Sequence, residues 1–168
     1  MEKDFAGWHI LKTQLQQQEN REYFYEREIW LSSLGLNLGH EEDGKGNKFL
    51  RPVIVLKKFN ADLFWGIPLT SHVRTGSYYS RFDFKGRSGA VVLFQMRLLD
   101  RKRLLRRMGT MPEDKFYEMA EKLAGLLPKI ETPLGERGFS EAEAKSNSSI
   151  AELGKTSNIV LESFNNGG

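Results

Sequence analysis

The 168-residue chain carries 25 lysines and arginines against 22 acidic residues, a net charge of +3, and no cysteine. That length accommodates one ordinary domain with appendages rather than two full domains, and the lack of cysteine excludes disulfides and thiolate metal sites and suits a reducing cytosol. No stretch approaches the roughly 20 apolar residues of a membrane span, and the opening MEKDFAGWHILKTQLQQQ places charges and glutamines where a signal peptide needs an apolar block, so the expected setting is cytoplasmic, without membrane contact.

The charge is uneven. Three of the 25 basic residues and six of the 22 acidic ones lie beyond Ile130, so residues 1–130 carry a net +6 and the remainder −3. A basic body attracts polyanions, because fixed cations displace the counterions of a phosphate backbone.

In chain order, Phe5, Trp8, Leu11 and Leu15 recur at spacings of three and four between polar side chains, which predicts one amphipathic helix over 3–20. Tyr23, Phe24 and Tyr25 form an aromatic link read as packing residues in preference to base-stacking platforms. From Glu28 the period changes. Ile29–Leu34, Pro52–Phe59, Leu63–Leu69, Tyr78–Phe84 and Ala90–Leu93 are short β-branched and aromatic runs divided by turn-prone segments, and five such strands predict a small barrel. Between the first two runs lies a long Gly-rich loop holding His40, Glu41, Glu42, Asp43, Lys45 and Lys48, with Arg51 at its exit. A loop that concentrates acids, bases and glycines is more suited to holding a ligand than to turning the chain.

Asp100 is placed to cap a short basic helix, Arg101–Arg107, with Leu104 and Leu105 turned inward; its cations serve either phosphate contact or simple solvation. Met108–Met111 is read as a last strand. Thr110-Met-Pro-Glu113 has capping-box spacing ahead of a helix whose stripe of Phe116, Met119, Ala120, Leu123, Leu126 and Leu127 belongs to the core. Beyond Ile130 the composition turns to Gly, Ser, Asn, Glu and Ala, too apolar-poor to offset the entropy of ordering, so 131–168 is expected to be a disordered tail.

The ordered set Glu-Ile-Trp-Leu (28–31), Gly39-His40-Glu41, Arg51-Pro52-Val53, Pro68-Leu69-Thr70-Ser71, Gln95-Met96-Arg97 and Leu99-Asp100-Arg101-Lys102-Arg103-Leu104 resembles the MazF/PemK-type toxins of bacterial toxin–antitoxin modules, over about residues 27–127. The resemblance implies a compact SH3-like β-barrel with a short basic helix and a C-terminal helix (27–130) in a mainly β, α+β chain; the N-terminal helical extension (1–26) and the acidic tail (131–168) fall outside it. It also implies a homodimer that cuts single-stranded RNA, mRNA in the first place, without metal or cofactor, and that is restrained by a cognate antitoxin peptide.

Cleaving RNA through its own 2′-hydroxyl needs a base, a stabiliser for the crowded phosphorane and an acid for the leaving 5′-oxygen. His40 and Glu41 suit proton transfer, Arg51 offers a planar fork of permanently charged donors for phosphate oxygens, and Thr70 adds a hydroxyl. Ser71, Gln95 and Arg97 would position the RNA, with Lys48, Arg74 and Arg81, beside Lys45 and the basic 101–107 segment, steering its backbone. One departure stands out: some members of the family carry an arginine and an acid where this chain has Val92 and Phe94, so proton transfer by that pair is unavailable, and Phe94 is free to stack on a base. The competing expectations are a non-catalytic barrel that binds nucleic acid or a protein tail, and a gyrase-directed toxin on the same barrel.

Overall fold

A computed structural model describes residues 3–19 and 22–128; the tail expected to be disordered, 131–168, lies outside the described residues. Helix α1 (Phe5–Gln17) precedes seven strands: β1 (Glu28–Ser33), β2 (Leu50–Lys58), β3 (Leu63–Thr70), β4 (Tyr79–Phe84), β5 (Arg87–Val92), β6 (Arg97–Asp100) and β7 (Leu104–Thr110). Helix α2 (Glu113–Ala124) closes the described part. Every strand pairing is antiparallel, in the order β4-β5-β3-β2-β1-β7.

The sheet curls back on itself. β4 and β7 stand at opposite ends of that order, yet a Cβ on Gly109 of β7 would lie 2.8 Å from the Phe84 ring of β4. β3 makes the corner: Leu63 to Gly66 pair with β6, while Leu69 and Thr70 pair with Val91 and Ala90 of β5. The mainly β small barrel expected from five short strands is therefore the fold, with β6 and most of β7 added to it.

β2 runs through the middle, and its unbroken Val53-Ile54-Val55 reads apolar because both of its faces are covered. Ile54 joins Ile29, Ile67, Phe82, Val91 and Leu93 beneath Phe116 and Met119 of α2. Val53 and Val55 face the other way, into Phe24, Trp30, Leu34, Phe64, Leu99 and Leu104. Of the aromatic link, Phe24 is wholly buried with its ring 5.0 Å from that of Phe64, whereas Tyr23 and Tyr25 are exposed. α1 packs separately, Trp8 and Leu15 against Phe49, with Phe5 outside.

The basic helix expected over 101–107 is not formed. Asp100 does accept a hydrogen bond from the Lys102 amide, but the helical segment is a single turn of 3-10 helix, Arg101–Arg103, and from Leu104 the chain is a strand. The open edge of β1 supplies backbone partners from Glu28↔Thr110 to Ser32↔Leu104, and this pairing overrides local helix propensity. Strand geometry turns Leu104 in and Leu105 out, where a helix was expected to bury both. The capping box fails for the same reason: Thr110 ends β7, and its hydroxyl accepts from Arg107, leaving Pro112 at the head of α2 with no side-chain cap.

The strand assignment has a direct consequence. Leu104→Ala should cost about 2–5 kcal/mol in denaturant unfolding and Leu105→Ala less than about 1, whereas equal losses would indicate the helix.

Candidate functional site

The β1–β2 loop is folded back tightly on its own ends. The Gly44 amide donates to the Gly35 carbonyl (2.7 Å), and Lys45 and Leu50 exchange backbone hydrogen bonds of 2.8 Å. Asn37 binds both following acids' segments: its amide donates to Asp43 Oδ1 (2.7 Å) and its Nδ2 to the Glu42 carbonyl (2.8 Å). Gly44 is required here, since a Cβ would fall 1.7 Å from the Phe49 carbonyl oxygen. Phe49 itself takes a positive φ of 47°, a cost offset by burying its ring.

This fold delivers Arg51. Its Nε donates to the Asp43 carbonyl (2.6 Å), Nη1 to the Leu69 carbonyl (3.2 Å), and Nη2 pairs with Glu42 Oε2 (2.7 Å), with only 12% of the side chain exposed. The two carbonyl contacts use the Nε–H and one N–H of Nη1, and the Glu42 carboxylate lies against Nη2 as an ion pair, so N–H groups on the terminal nitrogens remain for a ligand. Thr70, at the end of β3, accepts from the His72 amide (3.2 Å), and among the described residues its hydroxyl donates to no other group.

Arg51, Thr70 and Ser71 share the wall of a cavity of about 270 Å³ at the mouth of the barrel. Ile29, Phe82, Phe84 and Met108 make its apolar floor, and Lys45, Arg87 and Ser88 complete the rim. Three cations and three hydroxyls line it, and among the described residues no carboxylate does. Arg87 and Ser88 were missed in the sequence, where Lys85-Gly86-Arg87-Ser88-Gly89 reads as a turn-prone segment; they are instead the first two residues of β5, the strand whose Ala90 pairs with Thr70.

A second cleft is lined by Glu41, Phe94, Gln95, Met96 and Arg97. Gln95 organises it: Oε1 accepts from the Glu42 amide (3.2 Å) and from Arg97 Nη2 (3.0 Å), and Nε2 donates to the His40 carbonyl (3.4 Å). Phe94, about half exposed, meets Tyr78 and Tyr79 edge-on at 5.9 and 5.8 Å. Val92 is buried. The predicted residues therefore fall into two groups, Arg51, Thr70 and Ser71 in the cavity and His40, Glu41, Phe94, Gln95 and Arg97 around the cleft, joined through Glu42. Lys48, Arg74 and Arg81 are exposed and line neither. Arg103 belongs to the framework: it donates to the carbonyls of Ser33 and Leu34, and burial, with Arg97 nearby, lowers its pKa from the usual guanidinium range.

Comparison with known proteins bears on this geometry. The family model for the "PemK-like, MazF-like toxin of type II toxin-antitoxin system" matches residues 25–127, from just after α1 to the end of α2. MazF from Deinococcus radiodurans is 27% identical, with a TM-score of 0.51 over 62% of this chain and 97% of that one. MazF-mt6 from Mycobacterium tuberculosis is 17% identical, with a TM-score of 0.47 over 59% of this chain and 94% of that one. No curated protein matches the chain in sequence. With the family's model spanning the whole barrel, the loop that carries Arg51 and both clefts, this chain belongs to the PemK-like, MazF-like toxins of type II toxin–antitoxin systems.

Proposed function

We propose that the protein is an endoribonuclease that cuts single-stranded RNA, mRNA in the first place, without a metal. The observation that carries this reading is the meeting of Arg51 and Thr70, from separate strands, at one cationic cavity mouth. The substrate's 2′-hydroxyl attacks the adjacent phosphorus, the P–O5′ bond breaks, and the products are a 2′,3′-cyclic phosphate and a 5′-hydroxyl. The remaining N–H groups of Arg51 suit the non-bridging phosphate oxygens, whose charge grows in the phosphorane, and the Thr70 hydroxyl adds a further donor. Lys45 and Arg87 supply further fixed positive charge at the rim.

His40 and Glu41 are assigned proton transfer. They precede Glu42 on the loop that Arg51 anchors, and a histidine can act as acid or base near neutral pH. Ser71, Gln95 and Arg97 position the strand, and Phe94 with Tyr78 offers a face for a base. The exposed cations Lys48, Arg74 and Arg81 steer the backbone. A cognate antitoxin peptide, in keeping with the family's toxin–antitoxin systems, and a homodimer complete the reading. The exposed aromatic group around Phe94 also favours a second reading, a barrel that binds RNA without cutting it.

Mixed-sequence RNA incubated with the protein in excess EDTA separates the two. Discrete new 5′ ends are expected, with Arg51→Ala slowing cleavage by about 10²–10³-fold and Thr70→Val by about 10–10²-fold. Uncut RNA with retained binding would establish the non-catalytic module. His40→Ala should slow cleavage by about 10²–10⁴-fold, the loss expected of a general acid or base, with RNA binding little changed. For Lys45→Ala and Arg87→Ala, the slope of log binding constant against log salt should each fall by about 0.7, the single-strand value per phosphate contact.

A further inference from the structure

Helix α1 lies outside the family match, which begins at residue 25, yet it grips the loop that carries the site. At one end, Lys3 Nζ pairs with Asp43 Oδ2 (2.7 Å) and donates to the Asn37 carbonyl (2.6 Å) and the Gly39 carbonyl (3.4 Å). In the middle, the Trp8 ring meets Phe49 edge-on at 5.6 Å and covers Gly35 so closely that a Cβ there would lie 2.3 Å from it. The other side of Trp8 carries the Arg103 guanidinium, 5.3 Å from the ring centre. At the far end, Lys102 Nζ donates to the Gln16 carbonyl (2.8 Å).

Two of these contacts run directly to Arg51. Asp43, held by Lys3 through its carboxylate, offers its carbonyl to Arg51 Nε, and Phe49, held by Trp8, stands two residues before Arg51 in the chain. We propose that α1 is a clasp that holds the β1–β2 loop in the shape that fixes the Arg51 guanidinium, which makes Lys3 and Trp8 positioning residues for the site. A loop this long, without helix or strand of its own, has many competing conformations, and any that moves residues 42–43 away takes the Asp43 carbonyl and the Glu42 carboxylate from the guanidinium. The consequence for catalysis rests on the proposed endoribonuclease reading; the grip on the loop does not.

The full-length protein and its Lys3→Met, Lys3→Arg and Trp8→Ala variants test this with two readouts. Limited trypsin digestion reports loop opening through cuts after Lys45 and Lys48. In Lys3→Met these should appear about tenfold faster than in the unsubstituted protein at an unchanged melting temperature, with Lys3→Arg restoring resistance. On RNA, kcat should fall about 10–10²-fold in Lys3→Met with KM changed less than about threefold, because misplacing a catalytic group taxes the chemical step more than binding. Trp8→Ala, judged at a temperature where it is folded, should open the loop further. Trypsin resistance equal to that of the unsubstituted protein would overturn the clasp, and an open loop with an unchanged kcat would overturn the positioning role. If the unsubstituted protein cuts no RNA, the endoribonuclease reading fails, while the trypsin rates still decide whether α1 holds the loop.

Discussion

The guanidinium of Arg51 is the joint on which the site is built. It is almost entirely enclosed, and a charge removed from water survives only when its donors are met. The Glu42 carboxylate and the Asp43 carbonyl come from the loop, and the Leu69 carbonyl comes from β3, so one side chain ties three segments together. Any arrangement of the loop that removed Glu42 and Asp43 would leave a partly buried cation short of partners. The loop's closed shape and the arginine's fixed place therefore depend on each other.

That dependence explains the unusual backbone around it. Gly44 is pressed against the Phe49 carbonyl, and Phe49 holds a positive φ, conformations that local preference disfavours. They persist because Trp8 and Leu15 bury the Phe49 ring from above and the β1–β2 pairing, Ser32↔Arg51 and Ser33↔Leu50, holds the loop's exit from below. The barrel fixes where the loop leaves and returns, and α1 covers what the barrel leaves open.

The barrel's curl does the remaining positioning. Because β3 bends from β6 to β5, its last residue, Thr70, arrives beside Ala90, and the β4–β5 hairpin carries Arg87 and Ser88 to the same rim as Arg51. The apolar side chains that would fill a closed barrel, Phe82, Phe84 and Met108 among them, instead floor a cavity with cations around it. Such a site sets an apolar floor and fixed positive charge side by side, which suits the base and the phosphate of the proposed RNA substrate.

Local pattern alone determined five strands of the barrel, both long helices and the burial of Phe116 and Met119 on α2, since apolar period and turn residues act over a few positions. Leu127, at the end of that expected core stripe, is exposed. Arg51, Thr70 and Ser71 were legible as an ordered set. Tertiary structure decided the rest. Leu104–Thr110 is a strand and not a helix because β1 had an unpaired edge, and hydrogen-bond partners from a distant segment outweigh the preference of seven residues. The grouping of Arg87 with Arg51, the capture of Arg51 by Glu42 and Asp43, and the contact of Lys3 with the loop join residues that are remote in sequence or ambiguous within one loop. Such contacts depend on how the sheet curls and where the chain crosses itself, which no local period encodes.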